Sequence, residues 1–135
     1  MNPAHPVYPV RLASADLPSE IVIGYSQRFI HYLEFQEAVR LLRLIREHMP
    51  EGARLFLSAS GLWSELGNGY VGAAQPLPRR FAPLSAAMAE KHDIRVRVCL
   101  YTPSELAELC QSAGFRCDRV YTSAFGNVKG VFSAA

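Results

Sequence analysis

The sequence has only three cysteines, no long hydrophobic run, no glycine before position 24 and no block of like charge. Cys99, Cys110 and Cys117 are odd in number and contain no CxxC pair, which excludes a disulfide framework and a cysteine zinc site as organising features. Cys110 falls on the apolar face of an expected helix and reads as a small buried hydrophobe. Apolar stretches such as 21–24 and 55–57 fall far short of the ~20 residues a membrane helix needs. The opening MNPAHPVYPV has neither a basic leader nor an apolar stretch, so no signal peptide is expected. The four histidines, at 5, 31, 48 and 92, have no metal-ligand spacing, and no metal is expected. Fourteen basic residues against twelve acidic ones leave a formal charge of +2, with the two signs interleaved, so neither nucleic acid nor an anionic membrane is an expected partner. A cytoplasmic protein is the expectation.

What is present fits one domain: 135 residues, half of them hydrophobic, suffice for a single core. Residues 1–20 carry Pro3, Pro6, Pro9 and Pro18 and read as an N-terminal arm, with the domain over 21–135. The β-branched run Ile21-Val22-Ile23-Gly24 predicts a central parallel strand covered on both faces. Over 34–49, Ala38, Leu41, Leu42, Ile45 and Met49 recur at helical spacing, and Arg43 and Arg46 read as that helix's solvated face. A short apolar strand over 54–59 completes a strand, helix, strand unit, which specifies a parallel pair. Residues 61–80, rich in Gly and Pro, predict a functional loop or lid with few side chains to hold it. Pro83 opens a short helix through Leu84, Ala87, Met88 and Lys91. The alternation of Ile94, Val96, Val98 and Leu100 then predicts a strand with one wet face. Thr102-Pro103-Ser104-Glu105 is a capping-box helix start, Gly114 stops that helix, and strands over 115–122 and 128–133 predict a closing antiparallel hairpin.

Two segments invite a chemical reading. Gly67-Asn68-Gly69-Tyr70-Val71-Gly72 fits GxGxxG, but no strand directly precedes it, and Pro76 and Pro78 break any following helix, so a lid is favoured over a nucleotide turn. Residues 25–33 follow the first central strand, and ligands of open α/β sheets bind at such carboxyl ends. There His31 is the candidate general base, and Tyr25 and Ser26 are candidate ligand hydrogen-bonders; the alternative is that His31 and Tyr32 seat the following helix. Trp63 and Tyr70 either cover a ligand or anchor the lid.

Four blocks, IVIGYSQRFIHYL, EGARLFLSASG, YTPSELAELCQSAGF and DRVYTSAFGNVKGVFSA, together resemble the C-terminal half of a class I S-adenosylmethionine-dependent methyltransferase. The resemblance implies an α/β fold, a partial Rossmann-like methyltransferase sheet of parallel strands plus a C-terminal antiparallel hairpin, with a cap inserted at about 61–101. It implies S-adenosylmethionine as cofactor, with Ser26, Arg28 and His31 facing the cofactor's amino-acid end or the acceptor and Trp63 and Tyr70 on the acceptor side; Tyr25 and Ser26 are thus the cofactor-binding candidates and Arg28, Trp63 and Tyr70 the substrate-binding ones. The acidic, glycine-rich turn and the ribose-binding acid through which that family holds its cofactor have no counterpart here, so binding by this chain alone is in doubt. Three readings follow: a truncated methyltransferase-like protein without catalysis of its own, a working methyltransferase completed by a partner chain, and a small-molecule binding module. With the first strands of that sheet missing, the strand over 21–24 is expected at an exposed edge, which implies a homodimer or a partner supplying the missing half.

Overall fold

Leu55, Leu57 and Ala59 alternate with Arg54, Phe56 and Ser58 along a strand over Arg54–Ala59, and this period of two decides how the sheet is dressed. The computed structural model of the chain describes residues 7–9, 23–27 and 29–135. They form a mixed α/β structure with a five-stranded sheet in the order β1-β2-β3-β5-β4. The strands are β1 (Val7–Pro9), β2 (Ile23–Gln27), β3 (Arg54–Ala59), β4 (Phe115–Thr122) and β5 (Val128–Ala134). Pairings β1 to β2 and β2 to β3 are parallel, whereas β5 runs antiparallel to both β3 and β4. Register sets Leu55 opposite Phe132 and Ala59 opposite Val128, and all four belong to the main core.

Two helices bury their apolar stripes in that core. From α1 (Phe35–Glu47) come Ala38, Leu42 and Ile45, and from α3 (Pro103–Ser112) come Leu106, Leu109 and Cys110. Residues of the opposite sheet face, Phe56 with its partner Val131 and the cations Arg54, Arg119 and Lys129, stay outside it. The capping box at α3 forms as expected: Thr102 Oγ1 accepts from the Glu105 amide at 3.3 Å and Glu105 Oε1 accepts from the Thr102 amide at 2.9 Å. Such a cap contributes about 1 kcal/mol. Gly114, with φ +96°, provides the left-handed stop.

Several expectations are corrected. Of the expected exposed edge at residues 21–24, Ile23 and Gly24 are not open, since Val7 and Tyr8 pair with them, whereas Ile21 and Val22 lie outside the described residues. β1 ends on Pro9, which has no amide to donate to the ladder. The rest of the expected arm over 1–20 lies outside the described residues. Arg43 and Arg46 are not merely a solvated face. Arg43 Nε and Nη2 donate to the Ser112 carbonyl at 3.2 and 3.1 Å, and Arg46 Nε donates to that of Gly114 at 3.2 Å, satisfying the last turn of α3.

The strand expected over 94–101 does not form. Only isolated bridges occur there, Ala82 with Val98 and Gly61 with Tyr101, and Val98, Cys99, Leu100 and Tyr101 are all buried. The alternation is real but both sides are covered: Val98 and Leu100 face a second, smaller core with Leu66, Tyr70 and Leu84, while Cys99 and Tyr101 face the main one. That second core overturns the expectation of a loosely held lid. Residues 61–80 wind through short 3-10 turns at Glu65–Gly67, Val71–Ala74 and Leu77–Arg79. The helix expected from Pro83 begins later, as α2 (Ala86–His92), where Ser85 accepts from the Met88 amide.

Candidate functional site

A cavity of about 610 Å³ opens where β2 and β3 end. One wall is the 3-10 turn Ile30–Tyr32 after β2, another is Ser60 just past β3, and the lid (Ser64, Glu65), the end of α2 (His92) and the β4–β5 turn (Phe125, Asn127) close the rest. Carboxyl ends of sheet strands are where α/β folds place their ligands.

Backbone contacts fix this corner. The Cys99 amide donates to the His31 carbonyl at 2.7 Å and the Tyr101 amide to that of Ser60 at 3.2 Å. The Ser60 amide in turn donates to His31 Nδ1 at 3.3 Å, and the imidazole, only 2% exposed, lies 4.2 Å from the Tyr32 ring. On the far side, Gly61 meets Gly126 backbone to backbone: a Cβ at Gly61 would fall 1.9 Å from the Gly126 oxygen, and Gly126 itself has φ +86°. This approach brings the hairpin turn to the cavity and leaves Phe125 87% exposed at its rim. Glu65 pairs with Lys91 and, at 3.5 Å, with His92, and the Lys91 hydrogen bond chiefly holds its carboxyl below the usual range. Exposed as it is, this cluster adds little stability.

Of the residues singled out in the sequence, His31 and Tyr32 line the cavity. Tyr25 and Ser26 stand in β2 at register with Phe56 and Leu57, and Arg28 lies outside the described residues. Trp63 is 70% exposed and does not line the cavity. Tyr70 turns inward, donates to the Val98 carbonyl at 2.5 Å and has its phenol pushed up to about 12, chiefly by burial, so it is a lid anchor. Ser60, Glu65, Phe125 and Asn127 carried no signal beyond their turn-rich setting.

The buried Arg80 is the other group that sequence reading missed. Its guanidinium donates to the carbonyls of Gly72 (3.2 Å), Gln75 (3.2 Å) and Leu100 (3.0 Å) and to Glu105 Oε1 at 2.5 Å. One side chain thus ties the lid to the capping box of α3. Burial works against both charges, but their contact outweighs it, holding the Arg80 pKa above and the Glu105 pKa below their ordinary values. Among the described residues, no group of three His, Cys, Asp or Glu side chains is placed to hold a metal ion, and no helix is long and apolar enough to cross a membrane.

No family model and no curated protein matches the sequence. Solved structures do match the fold. The N,N-8-amino-8-demethyl-D-riboflavin dimethyltransferase RosA from Streptomyces davawensis is 18% identical with a TM-score of 0.62 over 90% of this chain and 32% of that one. PigF with SAH is 20% identical, TM-score 0.61, over 93% and 33%, and the mitomycin 7-O-methyltransferase MmcR is 17% identical, TM-score 0.61, over 90% and 32%. The chain spans about a third of the length of these structures. The resemblance to S-adenosylmethionine-dependent methyltransferases read in the sequence therefore extends to the fold, over a portion consistent with the C-terminal half alone.

Proposed function

We propose that this chain is a methyltransferase-like part: a partial Rossmann-like sheet with a cap over about 61–101 that supplies the acceptor side of a site, without binding S-adenosylmethionine or transferring a methyl group by itself. The cavity where β2 and β3 end carries this reading, because it is walled by the cap and the hairpin turn. The glycines of the GxGxxG run are used for packing, not left to cradle a ligand. A Cβ at Gly67 would meet the Leu62 oxygen at 1.9 Å, and one at Gly72 the Tyr70 ring at 2.4 Å. These residues do not fit the cofactor. Calorimetric titration of the chain with S-adenosylmethionine is expected to show no saturable heat. A dissociation constant in the low micromolar range, roughly 7 to 8 kcal/mol, would refute the proposal.

A second reading, a working methyltransferase completed by another chain, draws on the sheet face bearing Phe56 and Val131, which lies outside the core that α1 and α3 fill. Parallel strands such as β1, β2 and β3 commonly have both faces of their sheet covered. The completing part is a partner or a second copy that continues the sheet beyond β1. Sedimentation is expected to show self-association when no partner is present, and a stable monomer at micromolar concentration would remove the second copy as the source.

A further inference from the structure

We infer that the sheet face turned away from α1 and α3 seats an acidic amphipathic helix of a partner protein, and not a second copy of this chain. Register lines up residues of β3, β5 and β4 across that face. Phe56, Val131 and Arg119 stand in one row, with Lys129 and Tyr121 paired in the next. Phe56 and Val131 are only half-buried and belong to neither core, and Tyr121 is 38% exposed. Among the described residues, α1 and α3 bury their apolar stripes on the other face, so neither covers this strip.

Charge identifies the occupant. Arg54 and Arg116 flank Ser133 in a third row, so the apolar centre at Phe56 and Val131 has cations around it. The carboxylate of Asp118 reaches this row but is already engaged, accepting from Ser133 Oγ and, at 3.3 Å, from Arg116 Nε. Arg119 lies 4.5 Å over the Tyr121 ring, and among the described residues Arg54, Arg119 and Lys129 form no ion pair. An apolar centre inside a charged rim is the anatomy of a protein interface. Its complement is a helix whose apolar stripe is bordered by Glu or Asp, and helices are what cover the faces of parallel strands. A second copy docking through the same strip would be related by a two-fold axis, which sets these cations against one another. Self-association beyond β1 uses a different surface and leaves the strip free. The inference rests on the reading above in which another chain completes the sheet.

The probe is an amphipathic peptide of about five helical turns, with leucine along one stripe and glutamate beside it, compared with its lysine counterpart. In 1H–15N NMR of the full chain, the glutamate peptide is expected to shift the Phe56, Val131, Arg119 and Lys129 amides saturably. Binding should fall sharply at about 1 M salt, where charges are screened beyond ~3 Å. Arg119→Glu, and separately Lys129→Glu, should weaken the glutamate peptide about tenfold and make the lysine peptide bind. No saturable shift at the strip, or equal binding of the two peptides, would overturn the inference. So would tighter binding of an oligouridylate at the same amides, or shifts there on dilution of the chain alone, which would mark a face-to-face dimer. Saturable heat with S-adenosylmethionine would refute the first reading of function and leave the peptide result standing.

Discussion

Replacing Arg80 by Met removes the one charge that joins lid and α3 while keeping most of the side-chain volume. Four acceptors each lose one donor at once: the carbonyls of Gly72, Gln75 and Leu100, and Glu105 Oε1. The Arg80 side chain is 6% exposed and that of Glu105 21%, so the carboxylate is left largely buried without its counter-ion. Breaking such a pair from one side costs about 3 to 5 kcal/mol. Glu105 still accepts the Thr102 amide at 2.9 Å and keeps some contact with water, which places the expected loss near the lower limit, about 3 kcal/mol. In urea, with a slope of roughly 2 kcal/mol per molar, the unfolding midpoint should fall by on the order of 1 to 2 M. Acid provides an independent check. Glu105 ionises more readily in the folded chain than in the unfolded one, so its contribution is complete above its ordinary pKa of 4.5 and is lost as pH falls through the lower folded value. Stability should therefore decline with acid below about pH 4.5 in wild type, and less steeply in Arg80→Met, where the pairing is already gone. A midpoint within 0.3 M or so of wild type, with an unchanged acid slope, would show that the clasp does not hold the lid.

Tyr101→Phe tests a buried hydroxyl that has no hydrogen-bond partner among the described residues. Removing it should leave stability unchanged or raise it by up to about 1 kcal/mol, and a loss beyond that in thermal unfolding would mean the hydroxyl is satisfied after all. Gly61→Ala should destabilise by roughly 1 to 3 kcal/mol, because the new methyl carbon would sit 1.9 Å from the Gly126 oxygen and one backbone must yield. The amide resonances of Phe125 and Asn127 should move with it, and an unshifted hairpin turn would contradict the close approach.

Features set by neighbours in sequence were legible without coordinates. The capping box depends only on Thr102 and Glu105, and the stop at Gly114 only on one residue's φ, so both follow from local chemistry. The alternation from Ile94 to Leu100 was also visible, but not that Val98 and Leu100 meet a second core built from Leu66, Tyr70 and Leu84 while Cys99 and Tyr101, on the side expected to be wet, enter the main one. Arg80 and Glu105 are 25 positions apart, and nothing in their spacing announces a pair. Arg43 and Arg46 looked like ordinary surface cations because their partners, the carbonyls at Ser112 and Gly114, belong to a helix end about seventy residues away. At the site, His31 stood out by residue type. Ser60 and Asn127 enter through backbone geometry, which carries no residue signature.

The placement of β5 has a bearing on how the chain reaches its folded state. It is last in chain order among the described strands yet lies between β3 and β4, and β4 joins the sheet through it alone. During synthesis β1, β2 and β3 can come together early, but β3 must wait with a bare flank until residues 128–134 leave the ribosome. β4, made shortly before, has only its hairpin partner to dock against. Nascent chains stalled before residue 128 should thus be the ones most exposed to chaperones and proteases, and the emergence of residues 128–134 should act as the step that completes this sheet.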